Sequence, residues 1–120
     1  MRLVLVESPC AGPDAEARRR NRRYAFAACR DCLARGEAPY SSLVHFDQPG
    51  LLDDLKPEDR ELGIVAGLAW GMKADVTVVY EDLGITDGMT MGIDAATRAG
   101  RPVEYRELPA WIAEYEAGLV

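Results

Sequence analysis

Histidine is almost missing from this 120-residue chain, cysteine is scarce and odd in number, and the apolar runs are short. The single histidine, His45, has no Cys, His or acid at ligand spacing, which argues against a zinc site. The lack of a second histidine also weakens any Ser-His-Asp triad. Three cysteines, Cys10, Cys29 and Cys32, imply no disulfide framework. No unbroken apolar stretch approaches the about 20 residues that a spanning helix needs. No basic start followed by a hydrophobic run marks a signal peptide, since the apolar Leu3 to Val6 is only strand-length. A cytoplasmic protein without a membrane partner is expected. Neither GxGxxG nor GxxxxGK[ST] occurs, so dinucleotide and P-loop readings lack their fingerprints.

What is present is ordinary globular usage, 48% apolar and 28% charged, at a length that predicts one domain over residues 1–120. The net charge of −6 disfavours a nucleic-acid polymer as partner. That charge is uneven: Glu16 to Arg35 holds seven Arg against two acids, a local +5, leaving −11 for the rest. A focused basic segment on an acidic body suits a small anionic ligand, and it equally suits a solvated helix face.

The run Arg2 to Glu7 predicts a buried strand closed by Ser8-Pro9. Asp14 can cap a helix reaching about Arg35, with Gly36 as its stop. Its apolar face is Ala25, Ala28, Cys29, Cys32 and Leu33. Ala38 to Leu43 reads as a second strand and His45 to Leu55 as a loop. Pro57 starts a helix with Leu62, Val65, Ala66, Ala69 and Trp70 as its apolar face. Asp75 to Tyr80 is the clearest strand, followed by a loop to Asp87 and a helix over Gly88 to Ala99. A short strand at Val103 to Tyr105 and a helix from Pro109 to about Gly118 close the chain. Strand–helix alternation predicts an α/β fold, a Rossmann-like (flavodoxin-like) three-layer sandwich with a mainly parallel sheet of about four or five strands. Ligands of such folds sit beyond the carboxyl ends of the strands where chain order reverses, which selects the loops Glu7 to Asp14 and Tyr80 to Gly88.

In the Cys29-Arg-Asp-Cys32 pair both cysteines lie far inside a helix on its apolar face, so core packing is expected rather than redox chemistry. Cys10 follows the first strand as a phosphatase nucleophile would, but the residue six positions on is Glu16 and not arginine. Glu7, Asp82 and Asp87 end or follow neighbouring strands, and paired carboxyl groups are what glycosyl chemistry uses. Asp82 and Asp87 would equally serve as turn and cap residues. Arg18, Asn21 and Arg22 share one helix face nearest the first loop, where backbone N–H groups plus one or two arginines would make a phosphate site.

The segments Glu7-Ser-Pro-Cys-Ala-Gly12, Arg20-Asn-Arg-Arg-Tyr-Ala25 and Glu37-Ala-Pro-Tyr-Ser-Ser42 come in order before Ala74-Asp-Val-Thr-Val-Val-Tyr80. Asp87-Gly-Met-Thr-Met-Gly92 and Gly100-Arg-Pro-Val103 complete the series. In this order and spacing the chain resembles the nucleoside 2-deoxyribosyltransferase-like superfamily over roughly Met1 to Leu108, closest to a small phage and actinobacterial branch. The resemblance implies a Rossmann-like sheet with a pocket for a nucleoside or its 5′-monophosphate, no cofactor, and a homodimer or larger assembly. It implies ligand contacts at Ser8, Cys10, Ala11 and Gly12, with Asn21 and Arg22 beside them; Arg18 on the same helix face and Asp87, Gly88, Met89 and Thr90 at the later helix start are expected to join them. Active members use a glutamate nucleophile on the helix after the third strand. Alignment puts that position at Thr90, or at Gly92 after a slip of two, and neither is a carboxylate. Two functions from different classes follow. One is action on an N-glycosidic bond with Asp82 or Glu7 as the carboxylate at the sugar. The other is a catalytically silent module that senses or sequesters a nucleotide-derived ligand.

Overall fold

A computed structural model describes residues 1–120. Four strands, β1 (Leu3–Glu7), β2 (Ala38–Tyr40), β3 (Val76–Tyr80) and β4 (Val103–Arg106), form one sheet in the order β2-β1-β3-β4. All three pairings are parallel, with Val6 opposite Val78 and Glu7 opposite Val79. The helices are α1 (Ala15–Ala34), α2 (Ser42–Phe46), α3 (Pro57–Gly71), α4 (Asp87–Arg98) and α5 (Pro109–Glu116). The expected Rossmann-like sandwich is therefore observed, with four strands, and chain order reverses between β1 and β3 as that fold requires.

Alternation along the strands separates two faces. Val4, Val6, Val76, Val78 and Tyr80 pack with Tyr24, Ala28 and Cys32 of α1, and Trp111 of α5 stacks edge-on against Tyr24 with centroids 5.2 Å apart. Leu5 and Glu7 turn to the opposite face, towards α3 and α4. Local chemistry sets the boundaries. The Asp14 carboxylate accepts from Ala17 N at 2.8 Å and starts α1. Gly36, at φ +77°, ends it. The Thr86 hydroxyl accepts from Met89 N at the start of α4.

Three expectations are corrected. The second strand stops at Tyr40 rather than Leu43, because the Ser41 hydroxyl accepts from Val44 N and caps the helical turn α2 inside what read as strand and loop. Leu33 lies exposed, outside the buried face of α1. The largest departure is in α3, where Leu62, Val65 and Trp70 are 59%, 58% and 59% exposed. The inward face is instead the row Gly63, Gly67 and Gly71. A Cβ on Gly71 would come within 2.8 Å of Leu5 Cδ2, and one on Gly67 within 3.0 Å of Ser42 Cβ. Helix α3 thus docks by backbone approach, which hydropathy periodicity does not register.

Candidate functional site

A cavity of about 300 Å³ opens at the carboxyl ends of β1 and β3, where the strand order reverses. That volume lies at the lower end of small-molecule pockets. One wall comes from the end of β1 and its loop: Val6, Glu7, Ser8, Cys10 and Ala11. A second comes from the start of α4, with Thr86, Asp87, Gly88 and Met89. The third comes from the α2–α3 region, with Ser41, Ser42, Phe46, Asp47, Asp54, Asp59 and Arg60.

Glu7 is the most perturbed acid in this wall. Burial pushes its pKa up to about 8, and the only charge offsetting that is Arg101. Its carboxyl group lies against α4 at Gly92, where a Cβ would fall within 2.5 Å of Glu7 Cδ. Arg101 itself is committed to Thr77, donating from Nε to Oγ1 at 2.9 Å. Burial thus favours the protonated form of Glu7 at neutral pH, the form that can donate a proton.

Cys10 points at Asp54, its thiol donating to Oδ2 at 3.3 Å. Burial first, then the Asp54 charge, push that thiol up to about 12, so it is no thiolate nucleophile at neutral pH. Asp54 also accepts from Arg60 at 3.4 Å. Five carboxyl groups, Glu7, Asp47, Asp54, Asp59 and Asp87, thus share this lining with one cation, Arg60.

Of the residues singled out in the sequence, Glu7, Ser8, Cys10, Ala11, Asp87, Gly88 and Met89 come together here. Gly12, Arg18, Asn21, Arg22, Thr90 and Asp82 do not line the cavity. Asp82 faces away, its Oδ2 accepting from the Tyr24 hydroxyl at 2.5 Å and from Leu108 N at 2.7 Å. Asn21 is buried and holds the first loop from behind, donating to Ala11 O at 2.9 Å. Arg22 donates to Asp47 O at 2.7 Å and lies over the Phe26 ring, so it anchors the α2–α3 loop. Gly12 allows tight packing at the start of α1, since a Cβ there would meet Ala17 Cβ at 2.7 Å. Thr90 is exposed on the outer side of α4. The arginine-rich face of α1 therefore supplies no cation to the cavity.

The sequence places Asp54 in a loop and Asp59 and Arg60 at a helix start, positions that by themselves signal no site. Ser41 and Ser42 carry no sequence pattern that marks them as site residues. The signal available was the Asp-Asp and Asp-Arg pairs clustered around the Pro57 helix start.

No curated protein sequence matches the chain. Among solved structures it is similar to a 2-deoxyribosyltransferase from the psychrotolerant bacterium Bacillus psychrosaccharolyticus, described as a biocatalyst for nucleoside synthesis. The TM-score is 0.60 at 20% identity, covering 88% of this chain and 72% of that one, a likeness of fold. A family model described as a domain of unknown function, DUF7768, matches residues 2–106. On that match, which spans the whole sheet and the whole cavity lining, the chain belongs to the DUF7768 family.

Proposed function

We propose that the cavity binds a nucleoside and cleaves its N-glycosidic bond, with Glu7 as the acid that protonates the departing base. The observation that carries this reading is the buried Glu7 carboxyl, raised to about 8, facing a cavity at the reversal point of a fold similar to a 2-deoxyribosyltransferase. In the reaction the C1′–N bond breaks and its electron pair stays with the base nitrogen, which takes the Glu7 proton. Water then adds to C1′ and gives its proton to the Glu7 carboxylate, restoring the acid. Carboxylates of Asp54 and Asp87 in the same lining favour the positive charge that develops on the sugar. Asp82 has no part in this reading. The excess of carboxyl groups over the one arginine favours an uncharged nucleoside over its 5′-monophosphate.

A second reading, ligand binding without turnover, is favoured by one observation: positions 90 and 92, where the resemblance implies a glutamate nucleophile, hold Thr90 and Gly92. We also propose a homodimer that covers the outer face of α3.

The test is chromatography of nucleosides, deoxynucleosides and 5′-monophosphates incubated with purified protein. Release of free base, reduced about 10²–10⁴-fold in Glu7→Gln, is expected. Retention of an intact nucleoside without release would replace the first reading by the second. Neither release nor retention would end the nucleoside assignment.

A further inference from the structure

We infer that Gly92 is the positioning residue for Glu7: its missing side chain is the space in which the Glu7 carboxyl group lies against α4 and faces the cavity. The geometry is specific to this pair. An ideal Cβ on Gly92 would fall 2.5 Å from Glu7 Cδ and 2.9 Å from Oε1, and closer still to Oε2. Contacts under 3.0 Å are ones that real Cβ atoms essentially never show, so any side chain at 92 must move the carboxyl. Gly92 is itself buried in the middle of α4, where glycine destabilises a helix relative to alanine. Gly71, on the same face of the sheet, admits the Cδ2 methyl of Leu5; Gly92 admits a carboxyl group in the corresponding way.

The consequence is chemical. Packed against the helix backbone, the carboxyl loses water, and burial is the main cause of its raised pKa. The charged groups around it are few. Arg101, past the end of α4, favours the ionised form and offsets part of that rise. Asp87 at the start of α4, Asp59 and Arg60 on α3, Asp47 and Asp54 in the α2–α3 loop, and the Cys10 thiol share the cavity lining. Gly92 therefore decides whether the site presents a proton donor or an anion. The ligand atom that meets Glu7 at neutral pH is then an acceptor, such as a base carbonyl oxygen or ring nitrogen; this last step rests on the nucleoside reading above.

The first experiment needs no ligand. The side-chain carboxyl ¹³C signal of Glu7, assigned by its loss in Glu7→Gln, is followed from pH 4 to 10 in the wild type and in Gly92→Ala. The wild-type signal is expected to titrate near 8 and the variant's below about pH 7, towards an ordinary carboxyl value. An unchanged titration would overturn the inference and leave the nucleoside reading standing. Should Gly92→Ala fold poorly, urea unfolding of a double-mutant cycle decides the same point. Alanine at 92 is expected to be less favourable beside Glu7, whose carboxyl must shift, than in Glu7→Ala, where the space is vacant. Equal harm in both backgrounds would overturn the inference. If base release is found, its fall with rising pH should move to lower pH in Gly92→Ala. If no nucleoside is bound or cleaved while the titration shifts as expected, only the identity of the ligand is lost.

Discussion

Glu7 and Asp82 end or follow neighbouring strands, yet their carboxyl groups leave the sheet on opposite faces. Glu7 turns to α4 and meets no hydrogen-bond donor of the protein, so only the Arg101 charge supports its ionised form. Asp82 turns to α1, where the Tyr24 hydroxyl and Leu108 N both donate to one oxygen and Asp82 N donates back to that hydroxyl at 3.0 Å. A carboxylate so engaged joins α1 to the segment leading into α5. Asp82→Asn keeps the shape and removes the charge assistance, so it should cost about 1–2 kcal/mol in urea unfolding. Any nucleoside cleavage per folded molecule should be unchanged by it. A loss of turnover beyond tenfold with the fold intact would return Asp82 to the chemistry. From sequence the two acids were equivalent candidates, because the face a strand-end residue takes depends on register. Register was not legible until β1 was paired with β3.

At the scale of elements, the sequence was most informative where several local signals agreed. Helix α1 had a cap, an apolar stripe and a terminal glycine, and its bounds came out within a residue. Strand β3 had an unbroken β-branched run and is buried throughout. Helix α2 was not legible, since its five residues carry no periodicity and only the Ser41 cap marks them. The buried face of α3 was misread because glycine packs by what it lacks. That error has a physical sequel, as Leu62, Val65, Ala69 and Met72 now form an exposed apolar stripe at three- and four-residue spacing. If a second copy covers it, light scattering should give about twice the 13.2 kDa of one chain. Val65→Glu on this face should then return the monomer without loss of fold. A wild-type monomer would remove the dimer proposal.

For the molecule as a whole, two acids on opposite faces of the sheet set opposite pH limits. Arg106 crosses the α1 face to reach Glu37, donating at 2.7 and 2.8 Å, while Arg2 also donates to Glu37 and both arginines reach Glu104. This network joins β4 to the residue before β2, at the two edges of the sheet. The guanidinium of Arg106, and then that of Arg2, hold Glu37 down to about 2, against an ordinary 4.5. A lowered carboxyl stabilises the fold at pH above 4.5, and that stability is lost as pH falls from 4.5 towards 2. Glu7 acts in the reverse sense. Its folded pKa, about 8, exceeds 4.5, so the folded chain keeps a proton that the unfolded chain releases. Stability from this group is full below 4.5 and is lost as pH rises towards 8. The two acids together place the best stability near pH 5, between the acid limb and the neutral one. Urea midpoints measured from pH 3 to 9 test this against two variants. Glu7→Gln should flatten the decline between about pH 5 and 8. Glu37→Gln should flatten the acid limb while lowering stability at pH 5 by about 1.5–3 kcal/mol, because buried Arg106 then keeps Glu104 as its one charged partner. If Glu7→Gln kept the full neutral decline, the buried-acid account of the cavity would fall with it, since a Glu7 ionised throughout that range has no proton to give.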